Sequence, residues 1–357
     1  MLYIVLYPDL HKSMEVPVCD IRPISLKQCF LLGIYVFIVL ILCSLKSRTL
    51  FPREGRQTED GLVMEYPPRS KGIWKKSRPL SFDLNPVNGT NITIIHNAVP
   101  KTGSRALELL VRKFTFRYKD KIRCKKSFPP EIADNSEKIN EFVQSLEQGS
   151  YLRGHFPFQS FSESDVNVAY INIVRPPIER LQSNYYFDLY GDGESNPQNN
   201  AVYHQPTIDE CIKNDVCFRK VYSYYRGSTL KTFCGHDIRC TKNTRWTLER
   251  AKENSRKYLM IGLTTQWSTT VRVLEILLPD LLNGLSTLML EEREKAKSTF
   301  RTAKKIPLKN ETLEFLKRDM SLENEFYQFV QEGFETATRL LLRNRTTVER
   351  NELLRHI

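Results

Sequence analysis

The sequence predicts an α/β body built on a mostly parallel sheet and preceded by one transmembrane helix. After residue 91, short apolar runs alternate with segments whose apolar residues recur at helical spacing, which is typical of a parallel sheet flanked by helices. Before that body, one run of eighteen residues carries no charge. The 357 residues allow one large domain with appendages or two domains of average size. A hydrophobic content of 41% excludes a mainly disordered, collagenous or small disulfide-based protein.

The uncharged run spans residues 28–45 and is dense in Leu, Ile, Val and Phe. As a helix rising about 1.5 Å per residue it covers about 27 Å, which is near the thickness of a hydrocarbon core. We interpret it as a transmembrane signal anchor. A cleaved signal peptide is disfavoured because 27 residues precede the run and no small-x-small cleavage pattern follows it. A buried core helix is disfavoured because no amphipathic partner lies nearby.

The anchor gives the chain its predicted organisation. A cytoplasmic tail at 1–27 precedes the anchor at 28–45. A stem at 46–90 follows, because this segment is rich in Arg, Lys, Pro, Gly and Ser and keeps no period of 2 or 3.6. The folded body is predicted at 91–342, with a C-terminal tail at 343–357.

The charges flanking the anchor do not decide its orientation. Four Asn-x-Ser/Thr sequons follow the anchor, at Asn88, Asn91, Asn310 and Asn344. Two close cysteine pairs also follow it, namely Cys211 with Cys217 and Cys234 with Cys240. Their C-x5-C spacing favours local disulfides over a zinc site, which commonly uses C-x2-C. Both features indicate a body in the secretory lumen, where the state of the remaining Cys124 stays open.

The body begins with a short apolar run, NITIIHNAV at 91–99, that is typical of a buried strand. The loop PKTGS comes next. A helix is predicted after it, because five apolar residues share one helical stripe: Ala106, Leu107, Leu110, Val111 and Phe114. Further segments continue the alternation: a strand at 166–174, a helix at 177–190, a strand at 257–263, and amphipathic helices around 265–278 and from 311 to the end.

The segment from Val99 to Arg105, VPKTGSR, connects the end of the first predicted strand to the start of the predicted helix. Exposed amides at a helix N-terminus, one Gly, one Lys and two hydroxyls can hold a phosphate or sulfate group. The Lys precedes the Gly and no second Gly lies upstream, so this is not a Walker A loop, which argues against a P-loop kinase. The alternative is an ordinary turn, since turns often produce such strings.

Arg175 follows the strand predicted at 166–174, and Ser183 lies about two helical turns further on. Carboxyl ends of parallel strands line the ligand crevice, so an Arg there can clamp a second phosphate. The alternative is a structural Arg that caps a helix or forms a salt bridge. Together, the two anion sites suggest a nucleotide with phosphates at both ends, namely 3′-phosphoadenylyl sulfate.

The chain carries a basic surplus, with 53 Lys plus Arg against 41 Asp plus Glu, a net charge of +12. Such a surface favours polyanions, meaning nucleic acid, anionic lipid or acidic polysaccharide, without choosing among them. The choice depends on compartment and motifs.

Several blocks of sequence occur in an order known from one family. They are VPKTGSR, HFPFQSF, YINIVRPPIERLQSNYYFDLYGD, DECIKNDVC, FCGHDIRC and KKIPLKNETLEFLKRDMSLENEFYQFV. In these blocks, from about residue 91 to 340, the chain resembles the glycosaminoglycan hexuronyl 2-O-sulfotransferases and their pipe-like relatives. The GSR and SNYYF runs look closer to the dermatan/chondroitin branch, whereas PKT and IERL resemble the heparan sulfate branch.

The resemblance implies a single-pass type II enzyme of the Golgi membrane with a P-loop-like sulfotransferase fold. Such an enzyme moves a sulfuryl group from 3′-phosphoadenylyl sulfate to the 2-hydroxyl of a uronic acid by in-line displacement, without a metal or a covalent intermediate. Its expected partners are a glycosaminoglycan acceptor and the Golgi membrane, with no nucleic acid, and a homo-oligomer is compatible with the family. The four body cysteines match the family's two local disulfides.

The resemblance also assigns site residues by position. The 5′-phosphosulfate loop corresponds to Lys101, Thr102, Gly103, Ser104 and Arg105, and the 3′-phosphate clamp to Arg175 and Ser183. Further toward the C-terminus, Lys304 and Lys305 match a basic segment that lies near the cofactor in the family. The alternative is that these two lysines belong to a solvated face. His155 matches the catalytic base, although by residues alone it is one of six histidines and a structural histidine is the alternative. Asp192 and Arg153 match positions linked to the acceptor.

Three positions depart from the family pattern. Pro176 stands where the family has Asp after the arginine, which removes a carboxylate and a backbone N–H. Arg153 stands where the heparan branch has a second histidine, and Ala98 where the family commonly has an acceptor-facing Arg. These departures imply one of two alternatives. Either the acceptor preference differs from that of the family, or the protein is a non-catalytic relative that binds anionic glycans in the Golgi.

Overall fold

The computed structural model describes residues 78–119, 121–124, 128–161, 167–192, 203–299, 301–302 and 304–343. All of them lie in one compact unit, 73–357. The predicted tail, the anchor, most of the stem and Asn344 lie outside the described residues. Within the described part, no single helix is long and apolar enough to cross a membrane, and one pair, Thr264–Leu277 with Pro279–Glu292, passes that test only together and with a 117° bend.

The centre of the body is a five-stranded sheet. Its strands are β1 Thr93–Asn97, β2 Arg123–Cys124, β3 Ser150–Gly154, β4 Val168–Val174 and β5 Met260–Leu263. Their order is β2-β3-β1-β4-β5, and every neighbouring pair is parallel. The prediction of an α/β body with a mostly parallel sheet is therefore confirmed.

The sheet is covered by helices on its faces, which is why its central strands are apolar. The helices are α1 Ser104–Arg117, α2 Ser136–Gln144, α3 Pro177–Tyr190, α4 Ile208–Lys213, α5 Asp215–Cys217, α6 Ser223–Tyr225, α7 Ser228–Cys234, α8 Arg245–Ser255, α9 Trp267–Leu277, α10 Pro279–Leu282, α11 Leu285–Thr299, α12 Asn310–Asp319 and α13 Ser321–Arg343. A π-helical turn, Phe218–Tyr222, joins α5 to α6. All five residues of β1 are buried, as are all four of β5.

The predicted helices agree closely with the observed ones where a start signal exists. α3 begins at Pro177, the residue that its prediction gave, because proline suits the first helical position. α1 buries four of the predicted stripe residues: Leu107, Leu110, Val111 and Phe114. The helical region predicted from residue 311 is divided in two, since α12 ends at Asp319 and α13 begins at Ser321.

Both predicted disulfides are confirmed. Cys211–Cys217 joins α4 to α5, with 5.1 Å between the two Cα atoms. Cys234–Cys240 closes the loop after α7, with a Cα–Cα distance of 5.6 Å. The sequon residues Asn88, Asn91 and Asn310 are exposed, so their glycosylation is sterically open and stays a prediction.

The last described residues of the predicted stem pack on the body. Leu80 and Phe82 are buried in the main hydrophobic core. The Arg256 guanidinium donates a hydrogen bond of 2.7 Å to the carbonyl of Pro79. The backbone N–H of Val87 donates to the carbonyl of Leu277 at 2.8 Å. Residues 78–90 therefore contribute to the packing of the body.

Arg180 of α3 and Glu323 of α13 form an ion pair in the interior. Their side chains are 1% and 0% exposed, and a guanidinium nitrogen lies 3.4 Å from a carboxylate oxygen. The same guanidinium donates to the carbonyl of Tyr225 at 2.8 Å. The pair thus ties α3, which follows β4 directly, to the long C-terminal helix.

Replacing Glu323 with alanine should lower the free energy of unfolding by about 3–5 kcal/mol, because it leaves the buried Arg180 charge without its partner. The matched control is Glu147→Ala. Glu147 pairs with Arg123 at 2.6 Å, but both side chains are more than 60% exposed, so its loss should cost less than about 1 kcal/mol. Urea denaturation of both variants measures the difference, and equal losses would contradict the structural role of the buried pair.

Candidate active site

Three predicted site residues lie at one edge of the sheet. β1, β3 and β4 are neighbours and run parallel, so their carboxyl ends meet at the same edge. The loop after β1 carries Lys101, His155 follows β3 directly, and Arg175 follows β4 directly. This edge is therefore the candidate active site.

The loop after β1 leaves the N-terminus of α1 open to an anion. Lys101 and Gly103 both adopt the left-handed conformation, with φ of 65° and 80°. The Thr102 hydroxyl donates to the carbonyl of Val99 at 2.8 Å and fixes the turn. No side chain caps α1, and no acidic residue lies in its first turn. The backbone amides of that turn, including those of Ser104 and Arg105, can therefore donate hydrogen bonds to an anion.

Gly103 is required here for a second reason. A Cβ added to it would lie 3.1 Å from the ring of Trp267, at the start of α9. The turn is thus held between a helix N-terminus and an aromatic ring, and a side chain at this position would displace one of them.

The Lys101 ammonium lies 3.5 Å above the centre of the Phe187 ring. Burial, and then the neighbouring Arg105 guanidinium, lower the pKa of Lys101 to about 8, while Asp192 and Asp188 act in the opposite direction. The ammonium keeps its proton at neutral pH, yet its charge is poorly compensated by the protein. A bound anion would stabilise it.

Asp192 forms an ion pair with Arg105, and its side chain is 0% exposed. The Arg105 guanidinium lies 5.3 Å from the centre of the Phe187 ring, the same ring that carries Lys101. Burial of the carboxylate favours a role for Asp192 in positioning Arg105 over the predicted direct contact with an acceptor.

The second predicted anion site centres on Arg175. Its guanidinium lies 3.3 Å from the Glu179 carboxylate, one turn along α3. The Ser183 hydroxyl is buried and lies 3.3 Å from that of Thr302. Sequence reasoning missed Glu179 and Thr302. The spacing of four residues could have indicated Glu179, whereas Thr302 is distant in sequence and carries no local signal.

Lys305 connects the two anion sites. Burial lowers the pKa of Lys305, and the positive charges of Arg175 and Arg301 lower it further. The charge of Lys305 in turn lowers the pKa of Lys101. The predicted cofactor residues Lys101, Arg175 and Lys305 are thus within electrostatic range of one another, whereas Lys304 lies against the Tyr190 ring at 5.2 Å.

His155 has one ring nitrogen fixed by a backbone carbonyl and the other beside the Arg153 guanidinium. Nδ1 lies 2.7 Å from the carbonyl of Ala98, so the ring donates there and Nε2 carries the lone pair. Burial lowers the pKa of His155, an effect that the bond to Ala98 opposes and the Arg153 guanidinium strengthens. Part of the ring stays exposed. Near neutral pH the imidazole is therefore uncharged and can accept a proton.

Arg153 is held beside His155 by a residue that sequence reasoning missed. Its Nε donates to the Glu108 carboxylate of α1 at 2.7 Å, and its Nη1 lies 3.3 Å from Nε2 of His155. The pair is mostly shielded, with side chains 15% and 18% exposed. Glu108 lies 45 residues from Arg153 in the chain, so no local pattern predicts their contact.

The other described histidines have different surroundings. His96 is fully buried with Nδ1 2.9 Å from the Tyr151 hydroxyl, and burial lowers its pKa to about 3. His204 is packed against Tyr225, and His236 follows the disulfide cysteine Cys234. Of these four, His155 is the one that follows directly after a strand of the sheet.

A cleft of about 360 Å³ opens beside His155, and we call it the acceptor cleft. One wall is formed by Ala98, Pro100 and His155. The other wall comes from 223–243 and contains three cationic side chains, Arg226, Lys231 and Lys242. Tyr224 lines the same cleft and is 77% exposed. A basic cleft with an exposed aromatic ring suits an anionic sugar.

No group of three or more His, Cys, Asp or Glu in the described part of the chain could hold a metal ion. The predicted metal-free reaction stays a prediction. The fold and the edge residues together define an α/β protein that can place a proton acceptor next to a bound anion.

Comparison with known proteins identifies the relatives. No protein-family model matches the chain. It is 31% identical over 261 residues to heparan sulfate 2-O-sulfotransferase 1 of Xenopus laevis, covering 69% of the chain and 71% of that relative. It is 30% identical over 298 residues to heparan sulfate 2-O-sulfotransferase hst-2 of Caenorhabditis elegans, covering 74% and 90%. With human uronyl 2-sulfotransferase it shares 29% over 267 residues, covering 69% and 63%.

These matches each cover about 70% of the chain. The chain belongs to the family of heparan sulfate 2-O-sulfotransferases and uronyl 2-sulfotransferases. The resemblance seen in the sequence blocks is thereby confirmed.

Proposed function

We propose that the protein transfers a sulfuryl group from 3′-phosphoadenylyl sulfate to the 2-hydroxyl of a hexuronic acid, iduronate or glucuronate, in heparan sulfate or dermatan/chondroitin sulfate. One observation carries this proposal. His155 donates a hydrogen bond to the carbonyl of Ala98, and Ala98 lies three residues before Lys101, so the uncharged imidazole is held next to the anion loop. A proton acceptor and an anion-binding loop therefore meet at one place.

The described residues fit the donor. The uncapped N-terminus of α1 and the Lys101 ammonium would hold the phosphosulfate end. Arg175, Ser183 and Lys305 would hold the 3′-phosphate end, since Lys305 lies within range of both sites. When bound, the donor supplies an activated sulfuryl group. Lys101 would then stabilise the negative charge that develops on the departing phosphate oxygen.

His155 would act on the acceptor. A sugar hydroxyl is a poor nucleophile until a base removes its proton, and Nε2 of His155 has the lone pair to accept it. Arg153, held by Glu108, lies beside that nitrogen and would attract the carboxylate of the uronic acid. Among the cations of the acceptor cleft, Lys231 and Lys242 would bind flanking sulfates, whereas Arg226 is paired with Asp319 at 3.0 Å.

We also propose that the reaction takes place in the Golgi lumen, with residues 28–45 as the anchor. The two disulfides support this placement, because such bonds persist in oxidising compartments. The three exposed sequons agree with it. Homo-oligomer formation stays a prediction.

A catalytically weak or inactive glycan-binding relative is the second candidate. Pro176 has no N–H, and the neighbouring Arg175 guanidinium is engaged by Glu179. Both features would weaken the 3′-phosphate clamp. The intact arrangement of Lys101 and His155 favours the enzyme.

Transfer of labelled sulfate from the donor tests this choice. The full-length protein is incubated with the donor and, in parallel, with heparan, dermatan and chondroitin polymers. The enzyme predicts label in at least one of them. Polymer binding without any transfer, together with absent donor binding by calorimetry, would favour the second candidate.

The pH dependence of transfer should show an alkaline limb near pH 8. Lys101 must be protonated to attract the donor, and its pKa is lowered to about 8 by burial and by Arg105. As pH rises through that value the ammonium loses its proton, so kcat/KM falls. On the acid side, His155 becomes protonated and cannot act as a base, at a pH below the usual histidine range because its pKa is lowered.

The variant Lys101→Arg tests the assignment of the alkaline limb. A guanidinium stays charged well beyond pH 8, so the limb should disappear even if the maximal rate is lower. An unchanged limb in this variant would assign it to another group.

A further inference from the structure

A second cleft lies on the other side of the Cys234–Cys240 loop, and we call it the far cleft. Its volume is about 470 Å³, within the range of roughly 300–1,000 Å³ found for ligand sites. Residues that line it include Gln159, His236, Trp246, Arg250, Asn254 and Lys257. The reaction proposed above uses none of them.

Two buried amide side chains line the far cleft with unpaired oxygens. Gln159 is 8% exposed and Asn254 is 2% exposed. The amide nitrogen of Gln159 donates to the carbonyl of Ser136 at 2.9 Å. That of Asn254 donates to the carbonyls of Phe233 and Cys234, at 2.9 and 2.8 Å. These bonds fix the orientation of both amides.

The orientation leaves Oε1 of Gln159 and Oδ1 of Asn254 without a hydrogen-bond partner among the described residues. Nε2 of His236 also has no hydrogen-bond partner among the described residues. Buried acceptors without partners are costly, so each case requires an explanation. A water molecule or a ligand hydroxyl that reached these atoms would supply the missing donors, and each atom has less than 1 Å² of accessible surface in this structure.

The rim of the far cleft is basic. Arg239, Arg250 and Lys257 line it together with one acidic residue, Asp237. Arg239 pairs with Asp237 at 2.6 Å and Arg250 with Glu253 at 2.8 Å, whereas Lys257 has no carboxylate partner in the described part of the chain. The Arg239 guanidinium lies 4.0 Å from the centre of the Trp246 ring. A ligand that suits this cleft has hydroxyl groups to face the acceptor atoms and negative charges to face the cations of the rim. A sugar that carries sulfate or carboxylate groups has both.

The far cleft adjoins the acceptor cleft. Cys234 lines the far cleft, and its disulfide partner Cys240 lines the acceptor cleft. The charges of Asp134 and Lys231, which line the acceptor cleft, both affect the pKa of His236 in the far cleft. One extended chain could therefore occupy both clefts by crossing the disulfide loop.

We propose that the far cleft binds anionic sugar residues of the same glycosaminoglycan chain, beyond the residue that is sulfated. This inference rests on the proposed function for its ligand. It adds a length requirement, since only an acceptor long enough to cross the disulfide loop can use both clefts.

Equilibrium binding of heparin-derived oligosaccharides to the full-length protein, without donor, tests the far cleft. Replacing both Arg250 and Lys257 with alanine should weaken binding of a decasaccharide about tenfold, because two charge contacts are lost. Binding of a tetrasaccharide, which fills the acceptor cleft alone, should not change. Both side chains are exposed, so the fold should tolerate the change.

The matched control removes two exposed charges outside both clefts, with Arg318→Ala and Arg339→Ala. An equal loss in the control would show that only net charge matters and would overturn the far cleft. Equal losses for the two oligosaccharide lengths would also overturn it. Since binding needs no turnover, absence of sulfate transfer would count against the proposed function and not against this site.

Trp246 offers a direct readout of position. The decasaccharide should change the tryptophan fluorescence of the wild-type protein, and this change should be lost in Trp246→Phe. The tetrasaccharide should leave the fluorescence from Trp246 unaltered. A response that persists in Trp246→Phe would place the long oligosaccharide elsewhere.

Discussion

Replacing His155 with glutamine should lower sulfate transfer by about 10²- to 10⁴-fold, the usual contribution of a positioned general base. Nε2 of His155 is the lone-pair nitrogen of a ring fixed by its bond to Ala98. Glutamine can form a similar bond to that carbonyl but cannot accept a proton at neutral pH. The variant should therefore keep its fold and its affinity for the donor.

Kinetic analysis together with calorimetry measures both effects. The loss should appear in kcat, and the affinity for adenosine 3′,5′-bisphosphate should stay within about twofold, since His155 acts on the acceptor. Glu147→Gln is the control, because Glu147 is exposed and lines neither cleft. Unchanged turnover in His155→Gln would remove this residue from the mechanism.

Replacing Lys101 with alanine should weaken donor binding and also lower turnover. A charge-assisted hydrogen bond contributes roughly 1.5–3 kcal/mol, which corresponds to about a 10- to 100-fold loss of affinity. The charge on the departing oxygen is larger in the transition state, so kcat should fall by a further 10²- to 10³-fold, about the effect of losing one oxyanion donor. The backbone should tolerate alanine as well as it does lysine, since both share the cost of the left-handed φ of 65°.

Lys113→Ala provides a matched control for this change. Lys113 lies in the same helix region and pairs with Glu292, away from the edge of the sheet. Its removal should leave donor affinity and kcat unchanged. If Lys101→Ala affected only the affinity for the acceptor, the assignment of the loop to the donor would be contradicted.

The sequence predicted those elements whose signal is local. β1, β4 and β5 were found because strands buried on both faces are continuous apolar runs, and α3 because proline marks its start. β3 was missed because SYLRG contains only two large apolar residues, although all but one of its residues are buried. Its burial comes from α1 and the neighbouring strands and not from its own pattern.

The site was only partly predictable for the same reason. Lys101 and Arg175 were found because each follows a strand that the apolar runs predict, whereas His155 was assigned only by the family resemblance, since β3 was missed. The partners that orient them come from distant parts of the chain: Glu108 contacts Arg153, and Thr302 contacts Ser183. The acceptor cleft likewise draws its cations from 223–243, where the sequence shows no periodic basic motif. Such contacts join residues that are distant in sequence, so they become visible only once the fold is known.

The most direct measurement of the central claim compares two acceptors that differ at one position. Labelled sulfate is transferred from the donor by the full-length protein to intact heparin and to heparin from which the 2-O-sulfates have been removed, and the disaccharides are then separated. The proposed reaction predicts label on the 2-position of a uronic acid and much more of it in the desulfated polymer. Label on glucosamine, or equal and measurable label in both polymers, would contradict a uronyl 2-O-sulfotransferase.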